Sequence, residues 1–144
     1  MQPDKLDWKI INILSKKHIP NSTIAKKLAV SEGTIRQRLK KLQSKGVLRI
    51  RALRDPNTLE NQQLAVVAAT LMEAKLLDRK AQEISKLENV LSVSIVSGRY
   101  DFLIEVLVES NRGIVKFLTE KLSTVEGISK TETFVILKSY QKWV

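Results

Sequence analysis

The chain of 144 residues has no cysteine and a single histidine, His18. These shortages exclude a disulfide framework and a thiolate metal site, and one histidine cannot build a zinc site. No apolar run approaches the ~18 uncharged residues of a membrane-spanning helix, and the first residues do not resemble an apolar signal segment. With 43% hydrophobic residues the chain can still bury a core. We expect a cytoplasmic protein that has no metal, no cofactor and no membrane partner.

The positive charge is confined to the first third of the chain. Residues 1–55 hold 14 Lys and Arg against 4 Asp and Glu, whereas residues 56–144 hold 11 of each kind. The net charge of +10 therefore lies entirely before Pro56. A charge that is restricted to one segment is typical of a protein with a polyanionic partner, and we expect that partner to be double-stranded DNA.

Residues 1–54 are predicted to form three helices followed by an extended arm or wing. Pro20 disfavours helical geometry at the residue before it and so ends the first helix. Asn21 is predicted to cap the second helix and Ser31 the third, while Gly46 is suited to end the third. A short helix, a tight turn and a basic second helix are typical of a helix-turn-helix DNA-binding domain.

The third predicted helix has a polar, basic face. Ile35, Leu39 and Leu42 form its core stripe, so the opposite side of the helix points outward. Gln and Arg can form hydrogen bonds with base edges, and Lys is suited to phosphates. An ordinary solvated helix is the alternative. The candidate DNA-binding residues are Ser31, Gly33, Thr34, Arg36, Gln37, Arg38, Lys40 and Lys41.

Arg38 has a second interpretation, which we favour. Asp7 can pair with it across the helices, and Arg38 would then be a structural residue. Two further side chains, Trp8 and Trp143, are predicted to be packing residues.

A polar stretch at residues 55–63 is predicted to be a linker, because it carries the Pro and Asn of a turn. Residues 64–144 then follow the order strand, helix, strand, strand, helix, strand. A βαββαβ order is typical of the ferredoxin-like fold, with a last strand predicted over residues 130–140. The fold class is therefore α+β, with a winged helix-turn-helix in front of a ferredoxin-like domain.

Several of these strands are apolar on both sides. In the last strand Val135 and Leu137 alternate with Phe134 and Ile136, so both faces of the sheet are apolar. Two helices can cover only one face, and the other would be an exposed apolar patch larger than monomers tolerate. We therefore expect a homodimer that is formed through the sheet.

The chain resembles the Lrp/AsnC family of transcription regulators, also called the feast/famine or leucine-responsive family. Motifs of that family are matched along almost the whole chain. In the DNA-binding part the matches are Asp4, Asp7, Ile10, Ile11, Leu28, Ser31, Thr34, Arg38, Leu42, Gly46 and Val47. In the remainder they are Asp55-Pro56, the turn Gly98-Arg99-Tyr100-Asp101, and Thr131-Glu132-Thr133. Leu59-Glu60 replaces the usual Leu-Gly after Asp-Pro, and Arg99 places a guanidinium inside the turn motif.

The resemblance implies a DNA-binding transcription regulator with a C-terminal effector and assembly domain. It further implies dimers that can assemble into an octamer, and a small amino-acid-like effector. The effector-binding candidates are Gly98, Arg99, Tyr100, Asp101, Thr131 and Thr133, with the two threonines supplied by a neighbouring chain. In this interpretation Asp101 holds the effector's ammonium group and Arg99 its carboxylate.

The alternative for residues 97–102 is a β-hairpin turn without a ligand. In that case Gly98 takes a positive φ and Asp101 binds local backbone amides.

Two other functions compete with a sequence-specific regulator. A ligand-sensing enzyme is disfavoured, because no part of the chain is left over for a catalytic domain and no nucleophile with a base is evident. A DNA-packaging protein without an effector needs basic charge but little base readout, whereas Thr34 and Gln37 favour readout. Neither activation nor repression follows from the residues.

Overall fold

The computed structural model describes residues 2–144 and divides into two compact units, Met1–Ala52 and Leu53–Val144. The first unit contains the helices α1 (Lys5–Lys16), α2 (Asn21–Leu28) and α3 (Glu32–Ser44). Their apolar stripes meet in one core, as the helical spacing predicted. The fully or nearly fully buried members of this core are Ile10, Ile24, Ala25, Ile35 and Leu39.

The start of α2 differs from the prediction. Pro20, and not Asn21, occupies the N-cap position, and no side chain caps this helix. The proline has a φ of −59° and an extended ψ, and its carbonyl accepts the N–H groups of Thr23 and Ile24. The backbone that proline imposes thus starts the helix without a capping side chain.

The predicted arm after α3 has no regular structure. Residues 48–55 form neither helix nor strand in the part of the chain that the structure describes. The segment ends in a short 3₁₀ turn, Pro56–Thr58, in which the Asp55 side chain accepts the N–H of Asn57.

The second unit has the predicted βαββαβ order. Its elements are β1 (Gln62–Leu71), α4 (Leu77–Ser85), β2 (Val90–Ile95), β3 (Phe102–Glu109), α5 (Ser110–Lys116) and β4 (Ile128–Val135). A π-helical turn and a 3₁₀ turn continue α5 to Thr124. The strands form one antiparallel sheet in the order β2-β3-β1-β4, which is the arrangement of a ferredoxin-like domain.

Both helices of this unit cover the same face of the sheet. Ile84 of α4 and Ile114 of α5 share one buried cluster with Val67 of β1 and with Phe102 and Ile104 of β3. Because side chains alternate across a strand, the residues between these point to the other face. We call this second face the open face. It carries Val66 and Ala68 of β1, Leu103 and Glu105 of β3, and Glu132 and Phe134 of β4.

Two predictions were wrong: the end of the last strand and the burial of the two tryptophans. The last strand ends at Val135, and residues 136–144 have no regular structure. Trp8 and Trp143 are 51% and 57% exposed, so neither is a buried packing residue within its unit.

No helix among residues 2–144 is long and apolar enough to cross a membrane.

Candidate DNA-binding face and effector turn

The turn between α2 and α3 is tight and is fixed by local hydrogen bonds. Ala29 ends α2 in the left-handed conformation with a φ of 53°. The Ser31 hydroxyl then accepts the N–H of Thr34 at 3.1 Å, which confirms Ser31 as the N-cap of α3. The two hydroxyl groups of Ser31 and Thr34 lie 2.8 Å apart. These two side chains thus shape the start of α3, and one of the two hydroxyl protons is used in the bond between them.

The outward side of α3 matches the predicted basic face. Ile35, Leu39 and Leu42 are buried, with exposed fractions of 0%, 6% and 0%. On the opposite side lie four exposed residues; one is a glycine, and the side chains of the other three form no hydrogen bond or ion pair within residues 2–144. They are Gly33, Gln37, Lys40 and Lys41. We call this set the α3 face.

Arg36 and Arg38 are not part of the α3 face, because each forms an ion pair with a carboxylate. Arg36 is exposed and forms an ion pair with Glu32 one helical turn earlier, at 3.0 Å. That pair is open to water and can be exchanged for a phosphate at little cost. Arg38 instead points toward the N-terminus of α1.

Arg38 is held by two carboxylates of α1. Asp4 and Asp7 form a reciprocal capping box, in which each side chain accepts the backbone N–H of the other. The guanidinium of Arg38 donates to Asp4 and, at 3.2 Å, to Asp7, which is only 3% exposed. The interpretation of Arg38 as a structural partner of Asp7 fits these contacts. Arg38 thereby ties the start of α1 to the middle of α3.

Acid should weaken this tie through Asp4. The N–H of Asp7 and the guanidinium of Arg38 hold the pKa of Asp4 below its ordinary value of 3.8. A carboxyl whose pKa is lowered by folding contributes stability above its unfolded pKa and loses it as the pH falls through the folded one. We therefore expect the first unit to lose stability below about pH 4, more steeply than in Asp4→Asn, where an amide oxygen keeps the cap.

Trp8 fluorescence, followed in a Trp143→Phe background during urea unfolding at pH 2 to 6, measures this effect. Equal pH dependence for wild type and Asp4→Asn would contradict it.

In the second unit the turn before β3 is attached to β1. The Asp101 carboxylate accepts the N–H of Leu71 at 2.7 Å, and the N–H of Asp101 donates to the carbonyl of Ala69 at 2.9 Å. The turn interpretation had Asp101 binding local amides and Gly98 at a positive φ, and both details were wrong. Gly98 does not have a positive φ, and the amide that Asp101 binds lies 30 residues away.

Tyr100 and the two threonines do not form one site within a single chain. The Tyr100 hydroxyl donates to the carboxylate of Glu132, and this hydrogen bond raises the pKa of Tyr100 above its usual range. Glu132 lies on the open face, opposite Ala68 of β1. Thr131 and Thr133 pair with Ala69 and Val67, and so they lie on the helix-covered side.

The structure thus brings Tyr100 and Asp101 together with Glu132 and Leu71, while Gly98 and Arg99 stay exposed in the turn. Glu132 was not predicted as a site residue. The sequence could have indicated its position, because Glu132 lies between Thr131 and Thr133 in a strand. Side chains alternate along a strand, so Glu132 must point to the face opposite the two threonines.

Comparison with known proteins agrees with both units. A family model described as the Lrp/AsnC ligand binding domain matches residues 64–142, and one described as winged helix-turn-helix DNA-binding matches residues 3–49. A relative from Pyrococcus furiosus is described as an uncharacterized HTH-type transcriptional regulator. Its sequence is 35% identical to this one, and the match covers 97% of this chain and 95% of the relative's length.

Two solved structures share the fold over nearly the whole chain. E. coli AsnC has a TM-score of 0.67 at 25% identity and covers 96% of this chain and 95% of its own. A transcriptional regulator from Neisseria meningitidis, solved as a complex with L-Met, has a TM-score of 0.70 at 23% identity. The match covers 98% of this chain and 94% of that protein.

A helix-turn-helix unit with a basic outward helix, joined to an α+β ligand-binding domain, defines a DNA-binding transcription regulator and not an enzyme. The sequence match extends over both units, with the same two domains in the same order. The chain belongs to the Lrp/AsnC family.

Proposed function

We propose that this regulator reads DNA sequence through the α3 face, as a cytoplasmic homodimer whose affinity for DNA responds to an amino-acid-like effector. The observation that carries the proposal is the contrast along α3. Arg38 is committed to Asp4 and Asp7, whereas Gln37, Lys40 and Lys41 are exposed and have no side-chain partner within residues 2–144. A recognition helix needs free side chains on the side that enters the major groove.

The roles within the α3 face follow from side-chain chemistry. Gln37 has both a donor and an acceptor and can form two hydrogen bonds with an adenine edge. Lys40 and Lys41 are point charges suited to phosphates, which fix the register of the helix on the duplex. Gly33 has no side chain and lets the start of α3 approach the DNA closely. Ser31 and Thr34 shape that start; the bond between their hydroxyls uses one hydroxyl proton, and the other can be donated to a phosphate oxygen.

A homodimer fits the composition of the open face. Leu103 and Phe134 are 38% and 46% exposed there, although they are large apolar residues of β3 and β4. A second copy of the chain would remove this surface from water and hold two recognition helices together. Assembly of dimers into an octamer rests on the family resemblance.

An effector site is proposed at the turn of Gly98, Arg99, Tyr100 and Asp101. The exposed guanidinium of Arg99 can form two parallel hydrogen bonds with a carboxylate. Asp101 has a second carboxylate oxygen, besides the one that binds Leu71, which can accept from an ammonium group. Thr131 and Thr133 lie on the other side of the sheet and would reach this turn only from a neighbouring chain. The relative from Neisseria meningitidis was solved with L-Met, so methionine is the first candidate to test.

Sequence-specific binding is tested by selecting duplexes from a random pool with the full-length protein. Enrichment of one motif that contains two similar half-sites supports the proposal. Recovery of bound duplexes without a common motif contradicts it and favours a packaging protein.

The effector site is tested by calorimetric titration with the amino acids, methionine among them. We expect Asp101→Asn to weaken ligand binding by about tenfold or more, because the amide oxygen keeps the bond to Leu71 but the charge for an ammonium group is lost. Asn111→Ala, an exposed position outside the turn, serves as the control. If no amino acid binds the wild type, or if Asp101→Asn binds equally well, the turn is a structural element only.

A further inference from the structure

The segment that follows β4 is bound to the segment that follows the first unit. Asn57 forms two hydrogen bonds with the backbone of Ser139: its Nδ2 donates to the carbonyl at 2.7 Å, and its Oδ1 accepts the N–H at 3.0 Å. The asparagine side chain thereby mimics the backbone pairing of a neighbouring strand. The two residues are 82 positions apart in the sequence.

A second pair of hydrogen bonds joins the same two segments through their backbones. The N–H of Arg54 donates to a backbone oxygen of Val144 at 2.7 Å, and the N–H of Val144 donates to the carbonyl of Arg54 at 2.9 Å. Val144 is 8% exposed, so its side chain is buried although it lies in an irregular segment. Four hydrogen bonds therefore hold residues 54–57 against residues 139–144.

The later segment is also attached to the sheet. Lys142 donates to the carboxylate of Glu105 on the open face at 2.6 Å, and both side chains are partly buried. Near the end of β4, Gln63 donates to the carbonyl of Ile136 at 2.8 Å. Residues 136–144 thus connect the sheet to the start of the linker. We call the five residues Arg54, Asn57, Ser139, Lys142 and Val144 the clasp.

We propose that the clasp sets the spacing of the DNA half-sites that the dimer accepts, with Asn57 as its main positioning residue. This inference rests on the proposed sequence-specific binding by a dimer. A linker whose residues are all mobile lets each DNA-binding unit sample a wide volume. When some of its residues are bound to the second unit, the mobile part is shorter and the volume is smaller. Residues 54–57 are bound to residues 139–144, which are attached to the sheet through Lys142. These contacts restrict the path of the chain where it leaves the second unit.

The expected consequence concerns spacing and not base readout. Two linked binding modules gain affinity only when the linkage spans both sites, and a stiffer linkage narrows the range of spans that it tolerates. Half-sites that are moved apart by five base pairs are also rotated by half a turn of B-DNA, to the opposite side of the duplex. A clasped dimer should reject that spacing, and an unclasped dimer should tolerate it.

The test uses the full-length protein and duplexes that carry the selected half-sites at spacings increased by 0 to 10 base pairs. Dissociation constants are compared for wild type, Asn57→Ala/Lys142→Ala, and the control Asn111→Ala/Lys86→Ala at exposed positions outside the clasp. For wild type and control we expect a loss of about tenfold or more at a shift of five base pairs. For the clasp variant we expect a loss of less than about threefold, with an unchanged preference for the half-site sequence.

Hydrogen exchange of the backbone amides provides a readout without DNA. In the wild type the amides of Arg54, Ser139 and Val144 should be protected, and all three should exchange about tenfold faster or more in the clasp variant. Unprotected amides in the wild type would overturn the proposal, and so would identical spacing profiles for wild type and clasp variant. A wild type with no preference for selected over random duplex overturns the proposed function as well, whereas a wild type that prefers the site but accepts every spacing overturns the clasp alone.

Discussion

Phe134→Glu is expected to give monomers that no longer hold a duplex with two half-sites. Phe134 is 46% exposed on the open face and lies next to Val66 of β1. If a second copy covered the face, a carboxylate at this position would be buried without a partner. The free-energy cost of burying that charge exceeds the stabilisation that an ordinary interface contact provides. Loss of the second half-site should weaken operator binding by about 100-fold or more.

The neighbouring residue provides a matched control. Val135 pairs with Ala65 on the helix-covered side of the sheet and is 40% exposed. Val135→Glu adds the same charge one residue away but on the opposite face, so it should leave the dimer intact. Sedimentation velocity measures the assembly state of both variants, and circular dichroism shows whether each is folded. A dimeric Phe134→Glu protein, or a folded Val135→Glu monomer, would contradict the proposed interface.

Gln37→Ala and Lys40→Ala should produce different defects, although the two residues lie less than one helical turn apart. Gln37→Ala is expected to cost about 1–3 kcal/mol on the selected site and to relax the preference at one base pair. Lys40→Ala should weaken binding to selected and random duplexes by the same factor, because a phosphate contact carries no sequence information. It should also reduce the slope of log affinity against log salt by about one.

Gln82→Ala and Lys86→Ala are suitable controls, because both residues are exposed and belong to the second unit, whereas α3 belongs to the first. Binding to a panel of single-base variants of the site at several salt concentrations separates the two kinds of contact. If both substitutions on α3 lowered specific and random binding equally, Gln37 would not read a base. If Lys40→Ala changed the preference at one position, its assignment to a phosphate would be wrong.

Much of the fold could be predicted because it depends on local periodicity. The 3.6-residue repeat of Ile35, Leu39 and Leu42 identified α3, and Ser31 marked its start. Apolar runs on both sides of Gly98 identified β2 and β3, and the order of elements then defined the sheet. The tie between Asp7 and Arg38 was also foreseeable, because an acidic residue on an otherwise apolar stripe needs a cationic partner.

Contacts between distant segments could not be predicted in the same way. The residue that Asp101 binds depends on which strand lies beside the turn, and Leu71 reaches it only because β1 lies next to β3. The partner of Asn57 likewise depends on the path of the chain after β4, where the apolar alternation suggested more strand than forms. Trp143 was predicted to be a packing residue only because it is a large aromatic residue. Residue type alone does not determine whether a side chain is buried, and Trp143 is exposed.

Sequence-specific binding by the α3 face is tested by a single ratio of two dissociation constants. The dissociation constants of the full-length protein for a selected site and for a random duplex of equal length are measured at one fixed salt concentration. We expect the selected site to bind about 10³-fold more tightly or better, and Gln37→Ala to reduce this ratio. Equal affinities within about threefold would rule out sequence readout by the α3 face, because basic charge alone would then explain the binding.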